Sequence, residues 1–75
     1  MTAPPVLLYV KAGCPFCAAK RAELASRGAS VREIDVVERA EIVPELLKLT
    51  RGRRVVPVVV DGGRIVIAPD GGSEF

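Results

Sequence analysis

The 75-residue sequence has no histidine and no tryptophan, and only one methionine, one tyrosine and two phenylalanines. Without an imidazole, a single chain cannot build a Ser-His or Cys-His nucleophile pair, nor a Cys/His zinc site. No apolar run approaches the roughly 18 residues of a spanning helix, so a membrane is not an expected partner. The 11 basic and 9 acidic residues are scattered, for a net charge of +2. No basic block is present that would track a phosphate backbone, so nucleic acid is not expected either. The N-terminus Met1-Thr2-Ala3-Pro4-Pro5 lacks the charged-then-apolar layout of a signal peptide, which implies a cytoplasmic location. Cysteine occurs only twice, three positions apart, which is not the spread framework of a disulfide-stapled secreted domain.

What the chain does have is 49% apolar residues, with Val, Ile and Leu gathered in compact runs. This composition supports folding, and the length suits one domain over residues 1–75, of a size that buries only about 60% of its unfolded surface. Val6 to Val10 is a continuous apolar run, as expected of a strand covered on both faces. From Pro15 to Arg27 the residues are mostly helix formers, with Pro15 suited to the first helical position and Gly28 placed to stop the helix. Val31 to Val37 mixes branched apolar residues with Arg32, Glu33 and Asp35, which reads as an edge strand.

Ile42, Val43, Leu46, Leu47 and Leu49 recur at helical spacing, and Pro44 fits only in the first turn of a helix that ends near Thr50. Val55 to Val60 reads as one strand with Pro57 near its start. Asp61-Gly62-Gly63 then turns the chain into a return strand, Arg64 to Ile67. The order is β-α-β-α-β-β. That predicts an α/β fold with a four-stranded mixed sheet, the first and third strands in the middle.

Cys14-Pro15-Phe16-Cys17 carries the chemistry. A cysteine at the mouth of a helix faces free backbone N–H groups and the positive end of the helix dipole, which favour the thiolate. Cys14 is thus the candidate nucleophile, with Lys11, Lys20 and Arg21 as nearby sources of positive charge. Cys17, one turn on, is placed to resolve a mixed disulfide formed on Cys14. Pro15 restricts the backbone between them, and Phe16 offers an apolar surface to a substrate. Two other readings fit the same residues. The cysteines can be small core hydrophobes, or half of a metal or iron–sulfur site completed by another chain.

The stretch Tyr9-Val10-Lys11-x-x-Cys14-Pro15-Phe16-Cys17, with Val55-Val56-Pro57 before a strand and a late Gly-Gly, resembles the glutaredoxin branch of the thioredoxin fold over nearly the whole chain. Within it, Gly52 to Val60 and Gly71-Gly72-Ser73 resemble the short glutaredoxin-like proteins of the UXX-star family. Some of these carry selenocysteine at the first redox position, occupied here by Cys14.

The resemblance implies a dithiol thiol–disulfide oxidoreductase with glutathione as co-substrate, no bound cofactor or metal, and disulfide-containing proteins as partners. It implies glutathione contacts from Lys11, Phe16, Val56, Pro57, Gly72 and Ser73. Pro57 is then a cis proline against the redox pair, with the backbone of Val56 open to pair with an extended thiol peptide. Read locally, a trans proline opening an edge strand fits equally well.

Several features depart from the family pattern. Val55 replaces the usual threonine, Glu74 stands where an aspartate is often found, and the loop before Gly71 is longer. A thioredoxin-like donor recharged by a flavoprotein reductase, or a subunit-bridging iron–sulfur carrier using Cys14, are the alternatives. Arg51, Arg53 and Arg54 either add positive potential for an anionic tripeptide or form a solvated turn. The C-terminal helix expected of the family is short or absent. Val58 or Val59 and Ile65 or Ile67 should then lack cover, and a homodimer is the expected remedy.

Overall fold

The computed structural model describes residues 5–75, so the reading of the N-terminal pentapeptide lies almost wholly outside the described residues. Strand β1 (Val6–Val10) leads into helix α1 (Pro15–Ser26), β2 (Val31–Asp35), a 3₁₀ turn over Ala40–Ile42 and helix α2 (Val43–Thr50). Then come β3 (Val55–Val56), β4 (Val58–Asp61), β5 (Arg64–Ile67) and β6 (Ser73–Glu74). Four strands form a mixed sheet in the order β2-β1-β4-β5, with β1 parallel to β2 and antiparallel to β4. The expected α/β architecture and its central strands are therefore present.

The sheet register sorts the apolar side chains onto two faces, because side chains opposite one another in a ladder share a side. Leu8 lies opposite Glu33, Val59 and, through β4, Val66. The ion pair from Arg21 of α1 to Glu33 puts α1 over this face. Tyr9 lies opposite Val58, and α2 brings the Glu45 carboxylate near the Tyr9 phenol, so α2 covers the other face. Leu8, Leu24 and Leu46 are fully buried, one from the sheet and one from each helix. This sandwich holds the start of α1 fixed against β1 and β3.

Two boundaries differ from the sequence reading. Strand β2 stops at Asp35 rather than Val37, because the Asp35 carboxylate accepts the backbone N–H groups of Val37 (2.8 Å) and Glu38 (3.0 Å) and turns the chain. Val55 to Val60 is two strands rather than one, divided at Pro57, whose peptide bond with Val56 is cis. Val58 stays in the main sheet while Val55–Val56 pairs with β6 as a separate two-stranded ribbon.

Among the described residues no helix follows β5. Val58 and Val59 are nonetheless buried under α2 and α1, contrary to the expectation that one of them lacks cover. On β5 the apolar side chain left most open is Ile65, 42% exposed, with Val66 and Ile67 half-buried. An open groove of about 180 Å³ runs over Val66 between α1 and β5, rimmed by Lys20, Arg27 and Arg64.

Candidate redox site

Local sequence builds the site from the helix start. Gly13, at φ 77, turns the chain out of β1, and Cys14 in extended conformation caps α1 with Pro15 in its first turn. The Cys14 Sγ accepts the backbone N–H of Cys17 at 3.2 Å, which satisfies one of the donors a helix leaves free at its N-terminus. Both cysteines are free thiols and buried, Cys14 5% exposed and Cys17 1%.

Their acidities diverge. Burial pushes the Cys14 thiol up, but hydrogen bonds from the Cys17 thiol, the Ser73 hydroxyl and the backbone N–H groups of Cys17 and Phe16 outweigh it. The net shift is below the ordinary value. Burial also pushes Cys17 up, and with its bond to Cys14 and the repulsion of a Cys14 thiolate its pKa reaches about 12. One sulfur is thus held toward the anion and the other toward the thiol.

The cationic side chains contribute less than the sequence suggested. Lys20 pairs with Glu23 and, at 3.6 Å, with Asp70, while Arg21 pairs with Glu33 at 2.6 Å. Hydrogen bonds, not neighbouring charge, set the direction of the Cys14 shift.

The other expected site residues converge on this helix mouth. The Cys14 Sγ lies 4.0 Å from the Val56 carbonyl oxygen, next to the cis Pro57. Phe16 is 39% exposed beside the pair, and its ring edge closes against Gly71, where a Cβ would stand 3.0 Å from the ring. A Cβ on Gly72 would come within 2.3 Å of the Val56 carbonyl oxygen, so only glycine lets the backbone lie this close. The Gly71-Gly72 pair therefore brings Ser73 to Cys14.

Strand β6 completes the wall. Val55 faces Glu74 and Val56 faces Ser73, and the Phe75 N–H donates to the Arg54 carbonyl at 3.2 Å. Lys11 Nζ donates to the Glu74 backbone carbonyl at 2.6 Å, so its partner here is main chain. Arg54 donates from Nε to the Phe75 carbonyl at 2.9 Å and stacks over the Phe75 ring, 4.9 Å from its centre. The sequence reading missed Arg54 and Phe75 as a clamp, since no local pattern links residues 21 positions apart. Of the three arginines at the turn, Arg53 and Arg54 line an open groove of about 430 Å³ beside β3, and Arg51 caps α2 in a left-handed conformation. Among the described residues no three His, Cys, Asp or Glu side chains gather as a metal site.

Comparison with known proteins agrees with this geometry. The glutaredoxin family model matches residues 6–66. Hybrid peroxiredoxin hyPrx5 of Haemophilus influenzae is 36% identical over 69 residues. That alignment covers 92% of this chain and 26% of the relative, so the chain spans about a quarter of it. No solved structure matches. With the family model spanning both cysteines, the cis proline and most of the sheet, the chain belongs to the glutaredoxin family.

Proposed function

We propose that the chain is a dithiol thiol–disulfide oxidoreductase that reduces protein disulfides and glutathione mixed disulfides, with glutathione as its electron source. The observation that carries this reading is the split between the two sulfurs, with Cys14 accepting hydrogen bonds at the mouth of α1 and Cys17 buried behind it with a raised pKa.

The Cys14 thiolate attacks one sulfur of the substrate disulfide. A bond forms between Cys14 and that sulfur, the substrate S–S bond breaks, and the other sulfur leaves as a thiolate that takes a proton from water. Capture at Cys14 then changes Cys17. The hydrogen bond and the repulsion that a Cys14 thiolate imposes on it both vanish, while the backbone N–H of Lys11 and the charge of Arg21 still favour its anion. Cys17 loses its proton, attacks the Cys14 sulfur and expels the second substrate sulfur. The substrate has gained two electrons and the pair has become a disulfide. Two glutathione molecules restore the dithiol and leave as oxidised glutathione.

Phe16 supplies an apolar contact beside the sulfurs, and Lys11, Val56, Pro57, Gly72 and Ser73 frame the place where the peptide part of glutathione would lie. No resident cofactor or metal is required by this cycle. The proposed setting is a reducing compartment such as the cytoplasm, where a resting dithiol persists. The name of the Haemophilus relative suggests a peroxiredoxin as a physiological substrate, its oxidised cysteine being presented as a disulfide.

Turnover with a glutathionylated peptide tests the assignment. Cys14→Ser should abolish it, and Cys17→Ser should keep the glutathione-dependent reaction while losing reduction of protein disulfides. Equal loss in both variants would contradict the roles given.

A further inference from the structure

An extended peptide that brings its sulfur to Cys14 must run along the nearest strand edge, and that edge is β3, whose Val56 carbonyl lies 4.0 Å from the Cys14 Sγ. In this structure the edge is already occupied by β6. In an antiparallel ladder, hydrogen-bonded and non-bonded pairs alternate. The Phe75 N–H bond to the Arg54 carbonyl makes 54 with 75 a bonded pair, so 56 with 73, two residues on, is the next. The main-chain groups of Val56 that would receive a substrate are engaged by Ser73. Two cations fasten the same segment through its carbonyls, Lys11 on Glu74 and Arg54 on Phe75.

We infer that residues 73–75 form an intrachain pseudo-substrate strap, which pairs with the β3 edge over Cys14 and must be displaced before a disulfide peptide can dock there. The inference rests on the redox reading of the site and adds its regulation. Few contacts hold the strap: a two-residue ribbon, two carbonyl-to-cation bonds, one ring stack and the Ser73 hydroxyl on Cys14. Such a contact opens readily, and while it is closed only the open fraction binds, which raises the apparent KM by the inverse of that fraction. Displacement also releases the Lys11 ammonium and the Arg54 guanidinium, so the incoming peptide that replaces the strap best is one carrying a carboxylate near its thiol.

Two measurements test this. First, Cys14 of the Cys17→Ser protein is converted chemically to its mixed disulfide with glutathione, using an activated disulfide, so that no turnover is needed. Hydrogen exchange of the Ser73 and Phe75 amides is then compared with that of the free thiol form. The strap account expects both amides to lose protection at least tenfold; protection retained in the mixed disulfide overturns it. Second, Phe75→Pro removes the Phe75 N–H and the ring under Arg54 and leaves the cysteines untouched. It should lower KM for a glutathionylated peptide about fivefold, and because an open strap withdraws the Ser73 hydroxyl from Cys14, the pH midpoint of Cys14 alkylation should rise. An unchanged or higher KM in a folded Phe75→Pro protein counts against the strap. A wild-type protein without Cys14-dependent turnover sinks the redox reading instead, and the exchange experiment then still decides whether the strap yields to a ligand on Cys14.

Discussion

Alkylation of the reduced protein at neutral pH probes the division of labour between the sulfurs. The thiolate is the reacting species, so its fraction sets the relative rates. With a pKa of about 12, Cys17 is ionised at pH 7 to about one part in 10⁵, against about 3% for an ordinary cysteine. Its rate with iodoacetamide should therefore fall about three orders of magnitude below that of an exposed thiol, before its 1% exposure slows it further. Cys14 is pulled the other way by the Cys17 N–H at 3.2 Å and should carry essentially all of the label. Mass spectrometry of peptides from briefly labelled protein reads both sites at once. Label on Cys17 at a rate comparable with Cys14 would refute the assignment.

Alkaline pH should destabilise the fold through Cys17. Its folded-state pKa lies above the ordinary 9.0, so its contribution is complete below about 9.0 and is lost as pH rises toward about 12. Three pKa units correspond to on the order of 4 kcal/mol, a large share of a typical 5–15 kcal/mol. Tyr9, raised by burial and by the Glu45 carboxylate, acts in the same direction. Denaturant melts of wild type and Cys17→Ala between pH 8 and about 11 should converge as the pH rises, and parallel curves would argue against it. Gly72→Ala places a methyl 2.3 Å from the Val56 carbonyl and should cost about 1–3 kcal/mol, with loss of the β6 amide protection; a folded variant with unchanged exchange would contradict this. Ala68 sits at φ 40, so Ala68→Gly should raise stability by about 1 kcal/mol in thermal melts, and a lowered melting point would count against strain at this position.

The elements that could be read from sequence are those whose signal is local. Val6 to Val10 is apolar throughout because both faces are covered, and Cys14-Pro15 carries a cap and a first-turn proline in adjacent residues. Pro44 lies in the first turn of α2, as its lost N–H demands. The misread parts depend on partners distant in the chain. Nothing near Val55 shows that it pairs with Glu74 while Val58 pairs with Tyr9, so one apolar run became two strands in different sheets. Arg21 stands close to the cysteines in sequence, yet its carboxylate partner Glu33 comes from β2 and takes up its charge, whereas Lys20 is paired chiefly with Glu23 one turn along its own helix. At the site, both sulfurs and the close approach of Val56, Pro57 and Gly72 were legible from motif and resemblance, whereas the tail over Cys14 emerged only from the fold.

Everything proposed for this chain depends on Cys14 being the more acidic sulfur. Absorbance at 240 nm, which reports thiolate directly, should show the first ionisation of the reduced wild-type protein below the ordinary cysteine value of 9.0, and that step should vanish in Cys14→Ser. A first midpoint at or above 9.0, or one that survives loss of Cys14, would contradict the account.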